Sequence, residues 1–585
     1  MSLYDRKTSL IILCNMAQLH HLKISHFRGL EDFEQTFGKG ITCIIGRGDS
    51  GKSTILDAIA LAFAQSWSIH LNDSDFCGCD TGRPIVIEGT VVDVPPELID
   101  KYGNHIRGVR QDGGLVDDME SSEALKAQTA LTIQLKVGKD LEPVWSVVSK
   151  NGEQPSVIKA TDRGKLNVFA ISDYTDRHFS LNKGNPLYGL YKQLNGGAIP
   201  EDDNWVLDVV REAKAAFDAS IDNKFDAVID KLKEVASTLG ITLNEMKAML
   251  DHKDIAISEN KVSIHENGVP FRLKGKGSKR LLSLAIQLAL TQPSGVILID
   301  EAEQGLEPDR AQHLVNVLSK YTDKQVIITT HSSNVIVEIP CESLFIMRSG
   351  TSSLLHVEGE LQGSVRKNPE AFFAEKVLVC EGATEVGICR AINKWRIEAG
   401  KVSAACKGVR FADGSGQELE DYVVGFRSLS YTTALFCDSD AEAINKQKQA
   451  FVDQGITLID SEDSYAIEEQ IFKDVPWEAV RELIPLATQK LMEDDGKTQA
   501  EAEDSVFSST NAQMMNKIGS KENWFDNDST ELRTALGKAS KKKDWYKRQS
   551  YGEFLGQIVL AHYGELAEGC KLKREIDAIS NWIDA

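Results

Sequence analysis

At 585 residues the chain is long enough for two to four domains with well-buried cores, and its 42% hydrophobic, 26% charged composition is that of a folded globular protein. No apolar run approaches the roughly 18–20 residues needed to span a bilayer, which excludes a spanning helix. A formal net charge of −21 excludes a surface that coats nucleic acid indiscriminately, yet it leaves room for a local basic groove or for carboxylates balanced by divalent cations.

In chain order, residues 1–17 read as a leader. Leu10–Leu13 follows Arg6 and Lys7, but this apolar stretch is too short for a secretory signal and is broken by Asn15 and Gln18; Met16 is a candidate start. Residues 18–45 alternate apolar and polar positions and end in Ile41–Ile45, a buried strand by length and β-branching. Glycines over 46–51 break that pattern, and Thr54–Phe63 predicts an amphipathic helix. Further strands are expected at Ile85–Val94, Leu131–Val137 and Asn167–Ile171, completing a first part over 18–204.

Residues 205–255 switch to helical periodicity, as in Val206–Phe217 and Phe225–Leu239, and read as an insertion that serves as an arm, a dimer surface or a packed subdomain. Strand-like runs return at Gly295–Ile299 and Gln325–Thr330 within 256–365. The change of composition at Gly359–Lys367 predicts a linker, and Lys376–Cys380 opens a second α/β domain over 370–585 with a helical C-terminal extension. The ten cysteines are scattered, and Cys77-Gly78-Cys79 lacks a second pair at zinc spacing. Free thiols in a reducing, cytoplasmic compartment are the expectation.

Gly46-Arg47-Gly48-Asp49-Ser50-Gly51-Lys52-Ser53 fits G-x-x-x-x-G-K-[ST] in full, between a strand and a helix that starts near Thr54. The loop's backbone N–H groups suit the phosphates of ATP, Lys52 suits the β/γ oxygens, and the Ser53 hydroxyl suits Mg²⁺. Val296–Ile299 is an apolar strand ending in Asp300 and Glu301, the first placed to hold Mg²⁺ and the second to polarise the attacking water. Ile327–Thr330 ends in His331, which at this distance after the acidic strand reads as a sensor of the γ-phosphate.

Before these acids, Lys274–Arg280 precedes an expected helix Leu281–Leu290. Its Gly275, Gly277 and Ser278 suit anion binding and stand where ABC-type ATPases carry the signature loop that caps ATP on a second subunit, although the residues depart from L-S-G-G-Q. Gly305–Pro308 is similar to the loop after the acidic strand in those ATPases. The long gap between phosphate loop and acidic strand, and the opening Leu22–Leu30, resemble RecF, SMC-like and OLD-type ATPases. That resemblance implies a homodimer or higher oligomer.

The second domain carries its own chemistry. Val377–Cys380 ends in Glu381, with Glu385 four residues on, and Thr433–Cys437 ends in Asp438-Ser439-Asp440. Carboxylates at neighbouring strand ends repel one another unless Mg²⁺ or Mn²⁺ joins them, and such a pair of metal and acids can position a phosphodiester for in-line attack. E-G-x-T-E followed by D-x-D resembles the Toprim pattern.

The expected fold class is therefore α/β: an ABC/SMC-type P-loop ATPase domain with a helical insertion, then a Toprim-type parallel α/β domain. Together these resemble the OLD (overcoming lysogenization defect) family of ATP-dependent nucleases from about residue 18 to 560. The resemblance implies a further metal-binding glutamate, Glu468 with Glu469 as competitor. It also implies a C-terminal catalytic lysine among Lys538, Lys541, Lys542, Lys543 and Lys547, next to Arg548, with Lys547 preferred. It implies DNA as substrate and an ATP-regulated endonuclease in anti-phage defence, similar to Gabija-type or retron-associated effectors. A partner protein, or a reverse transcriptase with its RNA–DNA, would then accompany it. RNA cleavage and a non-catalytic ATPase scaffold are the alternatives.

Overall fold

In the computed structural model the described residues are 17–585 except 68, 111–112, 118–126, 150–153, 172–175, 182–184, 195–223, 251–261, 291–294, 322–323, 417, 441 and 463. The expected leader lies outside them save for Ala17, and so does the helix expected at Val206–Phe217. The chain divides into two compact units, Met1–His356 and Val357–Ala585. Among the described residues no helix is long and apolar enough to cross a membrane, and every cysteine is free.

Besides a small three-stranded sheet, the described residues of the first unit form two large sheets, one antiparallel and one mainly parallel. In the antiparallel one, β1 (Gln18–Phe27) lies between β2 (Leu30–Thr36) and β4 (Ile85–Val92), and β4 pairs next with β5 (Gln128–Val137). Leu19, Leu22, Ile24, Ile87, Ile133 and Leu135 point into one core, as strand alternation requires. The other sheet is parallel through β6 (Val168–Ile171), β7 (Val296–Ile299), β8 (Gln325–Thr329), β3 (Gly40–Ile45) and β9 (Leu344–Ile346), in that spatial order. Its strands are nearly continuous apolar runs because they are covered on both faces.

Gln325 stitches the two sheets together. Fully buried, it accepts from the Leu19 N–H (2.8 Å) and donates to the carbonyls of Leu19 (2.8 Å) and Gly38 (2.9 Å). Helix α1 (Lys52–Ala62) follows β3 directly through the glycine loop and buries Ile55, Leu56 and Ile59. Of the region expected to be a helical insertion, the described part holds α2 (Asp226–Thr238) and then a strand, Met246–Leu250, paired antiparallel with Val262–Glu266. It is thus not uniformly helical.

Helix α3 spans Lys276–Leu290. It begins inside the stretch expected to be a loop, so Gly277 and Ser278 occupy its first turn. The expected linker at Gly359–Lys367 also forms structure: a 3₁₀ turn and a short helix, Gln362–Lys367, with Leu361 and Val365 buried. Its glycines and charges mask two apolar anchors that pack inward.

The second unit is built on a four-stranded parallel sheet. The central pair, β10 (Lys376–Cys380) and β12 (Thr432–Cys437), is flanked by β11 (Val409–Asp413) and β13 (Thr457–Asp460). Helix α4 (Ala383–Glu398) rises from the end of β10. It packs on α8 (Gln549–Ala561) at a distance that only glycine permits. A Cβ at Gly387 would lie 2.4 Å from the Gln549 carbonyl, and one at Gly552 would lie 2.4 Å from that of Thr384. Helices α5 (Ile467–Asp474), α6 (Trp477–Asp495), α7 (Thr530–Lys542) and α9 (Lys571–Asp584) complete the core.

Glu575 on α9 is a defect in that core. It is 3% exposed, and among the described residues neither carboxyl oxygen has a hydrogen-bond partner. Burial pushes its carboxyl up to about 9, against the pull of Lys571 and with help from Asp474 and Asp460. The folded chain therefore keeps a proton that the unfolded chain releases above the ordinary glutamate value. The resulting destabilisation is absent below about pH 4.5, grows up to about pH 9, and is worth about 3 kcal/mol at pH 7. Glu575→Gln removes the titration, so its melting temperature is expected to exceed that of the natural chain at pH 7.5 and to converge with it near pH 5. An equal difference at both pH values would show that Glu575 is ionised in the fold.

Candidate functional sites

In the first unit, the turn from β3 into α1 wraps Gly46–Gly51 around an open space. Gly46, Asp49 and Gly51 all have positive φ (150°, 58° and 101°), a backbone path that curls the loop. The Lys52 ammonium donates to the carbonyls of Gly46 (3.0 Å) and Arg47 (2.7 Å). Burial pushes it below the ordinary lysine value, opposed by Asp300, Glu301 and Asp49. The cavity, about 800 Å³, is lined by Gly48–Thr54, Glu301 and His331, with Gly29–Asp32 and Ser349–Ser352 on its other sides.

Parallel pairing of β7, β8 and β3 brings the acidic strand end beside this loop. Asp300 Oδ1 accepts from Ser53 Oγ (3.0 Å) and from Thr329 Oγ1 (2.5 Å). The Glu301 N–H donates to the same threonine oxygen (2.8 Å), with Glu301 itself at φ 47°. Glu303 holds the next turn, accepting from Thr330 Oγ1 (2.6 Å) and from the His331 N–H (2.7 Å). Ser53, Asp300, Glu301 and His331 thus converge, and their hydroxyl and carboxylate oxygens are the hard donors that Mg²⁺ takes beside ATP phosphates.

Sequence reasoning gave no role to Thr329 or Glu303. Their signal was present in the hydroxyls that close β8 and in an acid two residues beyond Glu301. Gly275, Gly277 and Ser278 do not line this cavity. A Cβ at Gly277 would lie 2.3 Å from the Gly305 carbonyl, so the start of α3 is pressed against the loop after β7. Arg280, one turn on, donates to the backbone carbonyls of Asp300 and Glu301 (2.9 Å to the latter).

In the second unit, strand register brings Glu381 and Asp438 together. Cys380 pairs with Phe436, and the Asp438 N–H donates to Glu381 Oε2 (2.8 Å). Asp438 Oδ1 accepts from the Ile467 N–H (2.8 Å), which ties the strand end to the start of α5. Glu385 sits in the first turn of α4 and accepts from the Gly382 N–H (2.8 Å). Glu469 bends back to cap α5, accepting from the Ala466 N–H (3.1 Å), whereas Glu468 lies within electrostatic reach of Glu381.

The charges of these acids meet. Burial raises Glu385 well above the usual carboxylate range, with Glu468 and Glu381 adding to it. Burial raises Asp438 likewise, with Glu385, Glu468 and Glu381 adding. Glu468 is half-buried and also raised, by desolvation first and then by Asp544 and Glu381, against the positive charge of Lys547. Four carboxylates from two strand ends and two helix starts therefore lie within electrostatic reach of one another. Among the described residues no three such side chains close on a common point as they stand. The all-oxygen donor set nevertheless suits Mg²⁺ or Mn²⁺, and burial with like charges nearby is what raises these acids.

Asp440 departs from expectation. The intervening Ser439 is buried and hydrogen-bonded to Ser461, so Asp440 is carried outward and pairs with Lys541 of α7 instead of joining the cluster. Lys547 is 70% exposed and pairs with Asp544 (3.3 Å), while its charge still reaches Glu468.

A glycine loop between strand and helix, a serine bonded to a strand-end aspartate, and a glutamate beside it define a P-loop ATPase unit. Residues 41–338, just over half the chain, match the family described as "AAA domain, putative AbiEii toxin, Type IV TA system", and the chain belongs to that family. Among curated proteins none matches the chain in sequence.

Solved structures similar to it include an Smc head bound to the C-winged helix domain of ScpA (14% identity, 58% of this chain and 97% of that one, TM-score 0.35). The SMC head domain from Thermotoga maritima is another (17% identity, 58% and 99%, TM-score 0.28). A third is the recombination mediator RecF with ATP (18% identity, 58% and 98%, TM-score 0.34).

Lys52→Ala is expected to weaken ATP binding by about 10- to 100-fold, the worth of charge-assisted hydrogen bonds to phosphate. Titration with a fluorescent ATP analogue checks this, and unchanged affinity would remove Lys52 from the phosphate site.

Proposed function

We propose that the chain is an ATP-regulated, divalent-metal-dependent DNA endonuclease of the OLD type, in which an ABC-type ATPase dimer governs a Toprim-type nuclease unit. The observation that carries this reading is the proximity of Glu381, Glu385, Asp438 and Glu468, of which Glu385, Asp438 and Glu468 are raised above the usual carboxylate range. A purely structural group of acids would be relieved by lysine or arginine partners, as Asp460 is by Lys448 (2.8 Å) and Lys571 (3.0 Å). Among the described residues none of these four acids forms an ion pair with lysine or arginine, and the charge of Lys547 offsets that of Glu468 only in part.

Bound there, Mg²⁺ or Mn²⁺ would supply a Lewis acid for the phosphodiester. Glu381, Glu385, Asp438 and Glu468 would hold it. Lys547, exposed yet electrostatically in reach of Glu468, would meet charge that develops at the scissile phosphate. In the ATPase unit, Ser53 and Asp300 would hold Mg²⁺, Glu301 would orient the attacking water, and His331 would meet the γ-phosphate. Gly275, Gly277 and Ser278 would face the ATP of a second copy. Since Arg280 joins the same helix to the carbonyls of Asp300 and Glu301, occupancy of one subunit would be felt at the catalytic glutamate of the other. The toxin–antitoxin description of the family is compatible with a nuclease restrained until needed, in a defence setting with a partner protein or RNA–DNA.

With supercoiled DNA and Mn²⁺ or Mg²⁺, the natural chain is expected to nick or cut. Asp438→Ala is expected to fall to the level of a metal-free control while ATP hydrolysis persists. An RNA substrate in the same assay reads out the alternative polymer. Retained nicking by Asp438→Ala would remove this residue from the site.

A further inference from the structure

A second cavity, about 520 Å³, lies within the C-terminal unit and belongs to neither the phosphate-loop site nor the carboxylate cluster. One face of α4 lines it through Ala383, Val386, Arg390 and Asn393, spaced as one side of a helix requires. Lys367 and Arg410 contribute two further cations, and Glu370 and Asp413 two acids. The lining therefore carries one excess positive charge in a chain whose formal net charge is −21.

The pairing of these groups singles out Arg390. Lys367 is matched by Asp413 (2.8 Å) and Arg410 by Glu370 (3.3 Å). Arg390 meets no carboxylate among the described residues. Instead its Nε and Nη2 donate to the side-chain carbonyl of Gln549 (2.8 and 3.1 Å), with that amide turned to present its oxygen. A neutral amide aims the planar guanidinium without cancelling its charge, which leaves it able to make paired hydrogen bonds to two oxygens of a tetrahedral phosphate.

Position relates this cavity to the acids. Asp413, on its rim, pairs in register with Cys380, the residue before Glu381. Adjacent strands lie about 4.8 Å apart, so the rim is one strand away from the carboxylate cluster. The Gly414 N–H donates to the Cys380 carbonyl (2.7 Å) and that of Gly416 to the Glu381 carbonyl (3.1 Å), which locks the two strand ends together. The first turn of α4 lies between them, with Glu385 on the acid side and Val386 on the cavity side. Gln549, which aims Arg390, stands two residues after Lys547, whose charge reaches Glu468.

We infer that this cavity is a phosphate-binding subsite in which Arg390 takes a phosphodiester of the strand being cut, beside the scissile bond. The inference rests on the nuclease reading for the identity of the strand. Phosphate on a free nucleotide has the same chemistry, and the test separates the two sources.

Binding of labelled single-stranded DNA is measured by anisotropy at graded salt, using full-length Asp438→Ala protein as a cleavage-silent background. Adding Arg390→Ala is expected to weaken binding about 10-fold and to make the salt dependence shallower by about one phosphate contact. Arg390→Lys, which keeps the charge, should restore the salt dependence and most of the affinity, separating loss of a contact from loss of fold. Thymidine monophosphate is titrated in parallel. If it binds, loses binding in Arg390→Ala, and DNA affinity does not move, the strand assignment is overturned in favour of a free-nucleotide site. If neither ligand responds to Arg390→Ala, the subsite is refuted. Cleavage by the natural chain with Mn²⁺ is run alongside: its absence refutes the nuclease reading, whereas intact cleavage with unresponsive binding refutes the subsite alone.

Discussion

Both units depend on the same constraint, the shared register of parallel strands. Parallel pairing makes neighbouring strands end at one edge, so a short polar segment after each strand is delivered beside the next. In the first unit this sets the glycine loop after β3 next to Thr329 of β8 and Asp300 after β7. In the second it sets Glu381 after β10 against Asp438 after β12. Each site is assembled from residues far apart in the chain by backbone hydrogen bonds that carry no chemistry of their own.

The two edges hold their acids differently. Around the phosphate loop, the acids are satisfied by hydroxyls and N–H groups: Asp300 by Ser53 and Thr329, Glu303 by Thr330 and the His331 N–H. These bonds hold the acids in place through neutral donors and leave their charge available. In the second unit the cluster takes N–H donors for Asp438 and Glu385, but burial and mutual proximity raise the proton affinity of both. The close crossing of α4 and α8, enforced by Gly387 and Gly552, brings the lysine-bearing turn before α8 toward that cluster. A single Cβ at that crossing would displace both the acid on α4 and the base near Glu468.

The same crossing gives α4 two functional faces. One presents Glu385 toward the carboxylates, and the other presents Arg390 into a cationic cavity. Acid and guanidinium are five residues apart on this one helix, which packs on α8 through glycine.

Much of this was legible in the sequence. The phosphate loop, Asp300-Glu301, His331 and the two strand-end acid motifs are local patterns, because a strand must be apolar and its functional end must break that pattern. Length and β-branching placed β3, β7, β8, β10 and β12 to within a residue or so. Tertiary structure alone decided the rest. It committed Glu469 to the cap of α5 and left Glu468 within electrostatic reach of Glu381. It turned Asp440 to Lys541, because buried Ser439 fixes the strand end. It also drew Gly277 into the first turn of a helix pressed on Gly305. The sequence determined which side chains carry chemistry; which of them share a space depended on packing between distant segments, which local pattern does not encode.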